Sequence, residues 1–365
     1  MKNRLQSLDI FRGLTIAFMI VVNTAGDGDL AYAPLHHANW HGFTPTDLVF
    51  PSFVFITGVS AWFSFKNINH ILTSDAFKKI ARRTFIIFLL GVLLYAFPYV
   101  GRPLSTWRIL GVLQRIALCY GIGSVLCLLL NKKQIIAVGA GLLLGYWFIL
   151  LGFGDLSLEN NAVRHLDRFL FGDSHLYHGD GLAFDPEGLL STMPSLVTFL
   201  IGYLVGQFIG TTEDKSLIVK YLSIAATALL IGGMVWDVFF PINKKLWTSS
   251  YVLLAGGLSL AIFNTIYYFV DVLKYQKGWK FFIVFGTNAI LAYLISEYLI
   301  MILEGFIEVS DGAAGKINGH EASFNAMTNI LGATSFASLV WSLAYVGVCW
   351  LIVYGFYKNK LFLKV

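Results

Sequence analysis

The chain has 365 residues, of which 57% are hydrophobic and only 13% are charged, and its mean hydropathy is +0.70. Soluble domains carry roughly a quarter charged residues, so this composition excludes an ordinary water-soluble protein. The net charge of +5 is not a nucleic-acid-binding signature, and the three cysteines lie in apolar runs that indicate neither disulfides nor a metal site.

About ten apolar stretches are long enough to cross a bilayer core of ~30 Å, and only helices can satisfy their backbone there. They lie approximately at 9–25, 46–66, 80–98, 108–130, 134–153, 189–210, 217–238, 248–270, 280–301 and 325–357. The last is longer than one crossing requires, so it is either tilted or begins outside the membrane. The sequence therefore predicts an all-α polytopic membrane protein with a single domain over residues 1–365.

Most of the 26 Lys and Arg residues fall on one side of these spans, which predicts that both termini are cytoplasmic. The predicted outer loops hold every histidine except His70, and the longest covers about 154–188. Because joining helices does not require such long polar loops, we expect them to line a site.

The first cluster of reactive side chains begins at His36, with His37 and His41 close behind and Asp47 at the start of the second span. Histidine is the usual general base at neutral pH, and a carboxylate can orient it. The alternative is that Asp47 only caps a helix and the histidines are interfacial. The spacing matches no zinc pattern, so no metal is expected.

The first span opens with Asp9 and Arg12, three residues apart on one helical face. They could form an ion pair that lowers the cost of placing both charges in the membrane. Alternatively, Arg12 could bind an anionic cofactor that approaches from the cytoplasm.

The segment WRILGVLQR places Arg108, Gln114 and Arg115 on or within the fourth span. An intramembrane arginine indicates a functional site, and the alternative for Arg115 is an ion pair with Asp47 or Asp237.

Two outer segments carry candidate substrate contacts. Asp185 and Glu187 could pair with an amine or bind sugar hydroxyls. The alternative is that they form a turn and cap the following helix, where acidic residues are also common. Asn243, Lys244 and Trp247 could form a rim for a sugar, with an interfacial anchor as the alternative for Trp247.

On the cytoplasmic side, Lys78, Lys79, Arg82 and Arg83 open the third span. They are typical of the positive-inside rule and could also bind phosphates. The sequence has no Walker loop, which disfavours an ATP-driven pump.

Several motifs resemble the heparan-α-glucosaminide N-acetyltransferase family and its bacterial relatives, in order along nearly the whole chain. They are SLDIFRGLTIAFMIVVN, HHANWHGFTPTDLVFPSFVFITG, RILGVLQRIA, DRFLFGDSHLY, DPEGLLSTMPS and FPINKKLWTSSYV. The opening LDIFRG is also similar to the wider transmembrane acyltransferases that modify envelope glycans, which implies a transmembrane acyltransferase fold.

The resemblance implies transfer of acetyl from cytoplasmic acetyl-CoA, as co-substrate, to the amine of a glucosamine across the membrane. It selects His37 from the histidine cluster, and it matches Asn23 and Asp47 to family positions. Lysosomal members carry an additional N-terminal portion, so we expect a bacterial-type protein of the inner membrane with a periplasmic loop at 154–188. One departure is Ser296-Glu297, where lysosomal members have His-Glu.

In this scheme His37 removes the amine proton within a ternary complex or carries the acetyl itself, Asp47 orients it, and Asn23 donates to the oxyanion. The predicted contacts of acetyl-CoA are Arg12, Arg82, Arg83, Arg108, Gln114 and Arg115. The alternatives are O-acetylation of an envelope glycan and a sugar transporter. The expected partners are an amino sugar and the lipid bilayer. A homodimer stays open, because no helix carries a motif that specifies association.

Overall fold

The computed structural model describes residues 5–97, 103–310 and 315–363. Over this part of the chain, the secondary structure consists of thirteen α-helices and one short β-hairpin, joined by 3-10 turns and one π-helical turn. The helices are α1 (Gln6–Asn23), α2 (Val49–Phe65), α3 (Ser74–Ala96), α4 (Val112–Leu129), α5 (Lys132–Gly152), α6 (Ala162–Phe171), α7 (Thr192–Thr211), α8 (Lys215–Asp237), α9 (Ser249–Tyr267), α10 (Lys280–Thr287), α11 (Ala289–Gly305), α12 (Gly319–Leu331) and α13 (Ser335–Lys358). Strands β1 (Glu308–Ser310) and β2 (Lys316–Asn318) pair antiparallel.

Among the described residues, eight helical segments are long and apolar enough to span a membrane, or nine if the bent pair α10–α11 forms one span. The prediction of an all-α polytopic membrane protein is therefore confirmed, while the side on which the termini lie stays a prediction. The predicted third span lies on α3 and is outside this count. The first ten residues of α3 include five charged side chains, so its uncharged stretch within the helix covers only 84–96.

Two predicted spans are interrupted in the structure. The long stretch at 325–357 consists of α12 and α13, because Gly332 takes a left-handed backbone (φ +75°) and Thr334 caps the new helix through a bond from Ala337 N. The stretch at 280–301 bends by 88° between α10 and α11. At that bend, the Asn288 side chain accepts from Leu363 N and donates to Leu361 O.

The described residues group into two compact units. The first unit contains the segment up to His37, residues Thr44–Val49 and the chain from Leu273 onwards, which includes α1 and α10 to α13. Within it α1 and α10 touch at glycines: a Cβ at Gly13 would overlap the backbone of Phe282, and one at Gly286 would overlap the backbone of Asp9.

The second unit contains Ala38–Phe43 and Phe50–Val272, and so carries most of α2 and all of α3 to α9. Its loops at 154–188 and 239–247 contribute to an aromatic and aliphatic cluster that includes Tyr146, Val163, Phe184, Phe240 and Leu246, each fully buried. This packing holds the long loop at 154–188 against helix ends, as its polar bonds below also show. The prediction of a single domain stays a prediction.

Candidate active site

In the first unit, His37 and Asp47 form a hydrogen-bonded pair, with His37 Nδ1 2.7 Å from Asp47 Oδ1. The His37 side chain is 43% exposed, whereas the Asp47 side chain is 1% exposed. The other carboxylate oxygen, Asp47 Oδ2, accepts from Thr44 N at 2.9 Å in a capping box. A buried carboxylate fixed at both oxygens therefore orients an accessible imidazole. Because Nδ1–H donates to Asp47, the basic atom of His37 is Nε2.

The three clustered histidines have three different partners. His36 Nε2 donates to Ala31 O at 3.1 Å. His41 Nδ1, in the second unit, accepts from the Asn243 amide at 3.4 Å. Burial lowers the pKa of His41, and Asp237 opposes that shift. Within the described residues, His37 is the one of the three whose imidazole bonds a carboxylate, and this is the feature that a general base or nucleophile requires.

Asn23 is the last residue of α1 and is exposed, and its side chain hydrogen-bonds the half-buried Glu297 on α11. The bond fixes one amide N–H on the carboxylate, which leaves the second N–H of this amide for a further acceptor. Glu297 lies at the position where the sequence departs from the lysosomal His-Glu pair. The structure therefore places a carboxylate beside the predicted oxyanion donor.

The predicted cytoplasmic donor contacts differ in environment. Arg12 donates from Nη1 to Asp9 at 3.1 Å and to Gly286 O at 3.0 Å, so the intramolecular pair is formed. Arg83 stacks on the Tyr120 ring at 4.6 Å, and Arg82 is exposed. Contact of these arginines with acetyl-CoA stays a prediction.

In the second unit, Arg108 joins the two acids of the long outer loop. Its guanidinium donates to both carboxylate oxygens of Asp185 at 2.9 and 2.8 Å, and to Glu187 at 2.7 Å. The cation lies between the Tyr95 and Tyr177 rings. Although burial opposes the shift, Asp185 raises the pKa of Arg108 well above its ordinary value. The loop is therefore tied to the start of α4 by a largely buried ion triad.

Arg115 is 1% exposed and donates to Gly188 O at 2.9 Å and to Ser191 Oγ. The alternative of an ion pair with Asp237 is wrong, because the acceptors are a backbone carbonyl and a hydroxyl and the guanidinium stacks on Trp247 at 5.0 Å. The alternative of an ion pair with Asp47, which lies in the first unit, stays a prediction. Its Nε and Nη1 groups, and both polar atoms of the fully buried Gln114, lack a hydrogen-bond partner among the described residues.

Asn243 and Trp247 lie in the interior rather than on the exposed rim predicted from the sequence. Asn243 is fully buried and its Oδ1 accepts from Leu246 N at 2.8 Å. Trp247 is 1% exposed and packs on Phe50 and Tyr251, so it is not an interfacial anchor. Contacts of a sugar with Asn243, Lys244 and Trp247 stay predictions.

The sequence interpretation missed Asp167 on α6, which is fully buried. Its Oδ1 accepts from Leu189 N at 2.9 Å, and its Oδ2 has no partner in the part of the chain that is described. Burial raises the pKa of Asp167 to about 7. The motif DRFLFGDSHLY was noticed, but nothing in it distinguishes this buried aspartate from the exposed Asp173.

Among the described residues, no group of three or more His, Cys, Asp or Glu side chains is arranged to hold a metal ion. The expectation that no metal takes part stays a prediction.

Comparison with known proteins agrees with the motifs. Residues 4–234 match the family model for "Heparan-alpha-glucosaminide N-acetyltransferase, catalytic". Heparan-alpha-glucosaminide N-acetyltransferases of Homo sapiens and Mus musculus are each 30% identical to the chain, over 99% and 100% of its length. The chain spans only 60% and 61% of the length of these relatives. Since the family model covers more than half of the chain, the protein belongs to the heparan-α-glucosaminide N-acetyltransferase family.

Proposed function

We propose that this protein transfers acetyl from acetyl-CoA to the amine of glucosamine or of a terminal glucosaminide, with His37 as the reacting group. The observation that carries the proposal is the His37–Asp47 pair, in which a buried carboxylate holds an accessible imidazole at 2.7 Å. The names of the two mammalian relatives support the acetyl acceptor, and the apolar helices support a reaction at the membrane.

Proton transfer at His37 Nε2 balances the reaction. The acceptor nitrogen attacks the thioester carbon and Nε2 takes the proton that nitrogen loses. Nε2 then gives this proton to the sulfur as the C–S bond breaks, so that CoA leaves as the thiol. Alternatively, Nε2 itself attacks the thioester carbon and the C–S bond breaks to release the CoA thiolate. The amine then attacks the acetyl carbon, the bond from that carbon to Nε2 breaks, and the proton that the amine loses passes through Nε2 to the thiolate. In both routes Asp47 stabilises the imidazolium, and the second N–H of Asn23 donates to the oxyanion.

Two buried side chains of the second unit fit groups that present carbonyl oxygens. Two guanidinium nitrogens of Arg115, Nε and Nη1, have no acceptor among the described residues, and the Gln114 amide is unsatisfied there as well. Buried polar atoms without partners are costly, so a substrate or water must satisfy them. The pantetheine amides and the thioester of acetyl-CoA have the required acceptors, and Gln114 and Arg115 are proposed to bind them.

The remaining parts of the proposal concern the side of the membrane from which each substrate enters. Acetyl-CoA is too polar at its nucleotide end to cross a bilayer, so the donor enters from the cytoplasm and the acceptor from the periplasm of a bacterial inner membrane. The exposed Arg82 and the Tyr120-stacked Arg83 are proposed contacts for the donor phosphates. Asp185 and Glu187, which hold Arg108, are proposed to line the acceptor side.

Purified protein in liposomes tests the proposal with radiolabelled acetyl-CoA and two matched acceptors. Glucosamine has a free amine and N-acetylglucosamine has none, so label on glucosamine alone is expected. Equal labelling of both sugars would instead indicate O-acetylation. A third arm supplies labelled glucosamine without donor, where accumulation of unmodified sugar inside the liposomes would indicate a transporter and contradict the proposal.

A further inference from the structure

An apolar groove runs along the outside of the α3–α4 pair in the second unit. It encloses about 560 Å³, and its walls include Phe77, Ala81, Phe85 and Phe88 of α3 with Ile122 and Leu126 of α4. The one hydroxyl in its lining, on Thr84, already donates to Ile80 O. The lining of the groove is therefore almost entirely apolar and suits an apolar occupant.

The floor of the groove is set by close contact between the two helices. A methyl group at Gly121 would lie 2.6 Å from Thr84 Oγ1, and Gly91 touches Gln114 in the same way, so the helices are antiparallel. Phe85 is 65% exposed and Ile122 is 48% exposed, and these side chains form the rim. Gly121 thus keeps the groove open, whereas a larger side chain at this position would fill it.

One end of this groove is basic. Lys78 and Arg82 lie one turn apart on α3, on the same face as Phe85, and both are exposed. Lys132 and Lys133 begin α5 directly after α4 ends, at the same end of the pair, and are also exposed. None of these four cations has a carboxylate partner among the described residues.

The apolar part of the groove continues beyond its basic end. From Arg82 to Phe88 the helix advances roughly 9 Å at ~1.5 Å per residue, which is more than half of one bilayer leaflet of about 15 Å. A basic end and an apolar groove that continues from it are the two features that a phospholipid with a negative headgroup requires.

We propose that the α3–α4 groove is a binding site for one anionic phospholipid, with the headgroup phosphate on Lys78 and Arg82 and an acyl chain along Phe85 and Phe88. A lipid held only by apolar contact would show no headgroup preference. Here the unpaired cations select a negative headgroup, whereas the groove selects a molecule with a long chain over a free phosphate.

Native mass spectrometry of the full chain, released from micelles with equal phosphatidylglycerol and phosphatidylcholine, tests the site. We expect one retained phosphatidylglycerol in preference to phosphatidylcholine. The Lys78→Gln/Arg82→Gln variant should bind it roughly thirtyfold more weakly, from the loss of two cations near the surface. The control Lys215→Gln/Lys220→Gln removes two exposed cations of α8, a helix of the same unit that does not line the groove, and should retain the lipid. Ala81→Phe, which fills the groove, should weaken retention without any change of charge.

Equal retention of the two lipids by the wild-type protein, or unchanged retention by the double variant, would overturn the proposal. A final arm adds acetyl-CoA, because Arg82 is also a proposed contact of that donor. Displacement of the lipid by acetyl-CoA would assign the cations to the donor and overturn the lipid site, whereas continued retention supports it. Lipid retention does not depend on acetyl transfer, so this experiment tests the lipid site independently of the proposed function.

Discussion

His37 Nδ1 lies 2.7 Å from Asp47 Oδ1, and the two side chains differ sharply in exposure, at 43% and 1%. The buried Asp47 carboxylate also accepts a hydrogen bond from Thr44 N, which fixes its orientation. The exposed imidazole is therefore oriented by a carboxylate that is itself held in place. This relationship assigns different tasks to the two residues: His37 meets the substrate, and Asp47 sets its tautomer and stabilises its cation.

Asp47→Asn should therefore lower kcat by 10²- to 10⁴-fold with little change in KM, because an amide keeps the shape but does not stabilise the imidazolium. The measurement is the rate of acetyl transfer at saturating substrates. Asp27→Asn, in the loop after α1, is the matched control, since among the described residues the bond of the Asp27 carboxylate is to Asp29 N, and Ser338 bonds the Asp27 backbone. An Asp47→Asn enzyme with the wild-type kcat would contradict this role.

Arg108→Ala should destabilise the protein strongly, because it leaves Asp185 and Glu187 without their shared cation in a buried setting. Breaking one partner of such a group costs about 3–5 kcal/mol. The denaturant midpoint in detergent measures the effect. Arg168→Ala removes the exposed pair with Asp173 and should leave the midpoint unchanged, because solvent screens that pair. Equal midpoints for the two variants would refute the distinction.

Asp167 should make stability fall as the pH rises. Burial raises the pKa of Asp167 to about 7 from an ordinary value of 3.8, so between these values the folded state holds a proton that the unfolded state has released. The free energy of unfolding then decreases by roughly 1.4 kcal/mol per pH unit up to about pH 7. Asp167→Asn should lack this slope when unfolding midpoints are compared at pH 5 and 7.

Asp173→Asn is the control for the pH series, because Asp173 is exposed and Arg168 lowers the pKa of its carboxyl below that range. It should keep the wild-type slope. An Asp167→Asn protein whose midpoint still falls with pH as in the wild type would show that the slope arises from other groups.

Gly286→Ala should lower the unfolding midpoint, because its methyl group would overlap the Asp9 backbone where α1 and α10 touch. Overpacking of this kind costs typically 1–3 kcal/mol. Gly347→Ala on α13 is the control, since a Cβ there meets no atom within 4 Å and alanine favours the helix. Thermal unfolding in one detergent compares them, and the same midpoint for both would argue against a close α1–α10 contact.

The class of fold and the central pair were predictable from the sequence. Apolar length identifies spans directly, and His37 and Asp47 are ten residues apart in one loop, so short-range contact was expected and found. The breaks in the later spans were not predictable, because Asn288 ends α10 through bonds to Leu361 and Leu363, far along the chain.

The other differences between the expected and the observed contacts arise from partners that are far apart in the sequence. An ion pair with Asp237 is one alternative that the sequence leaves for Arg115, whereas in the structure its partners are carbonyl and hydroxyl groups of the Gly188–Ser191 turn and the face of Trp247. Asp167 was missed because its burial depends on that same turn packing over α6. Hydropathy and motif spacing carry no information on such tertiary contacts.

The central claim is that His37 carries the acetyl transfer, and one comparison tests it most directly. Purified wild type, His37→Ala and His41→Ala are incubated with radiolabelled acetyl-CoA and glucosamine, and labelled N-acetylglucosamine is measured. His41 is the matched control, because its imidazole is bound to Asn243 and not to a carboxylate. Product from the wild type and His41→Ala but not from folded His37→Ala is the predicted result, whereas full activity of His37→Ala would contradict the account.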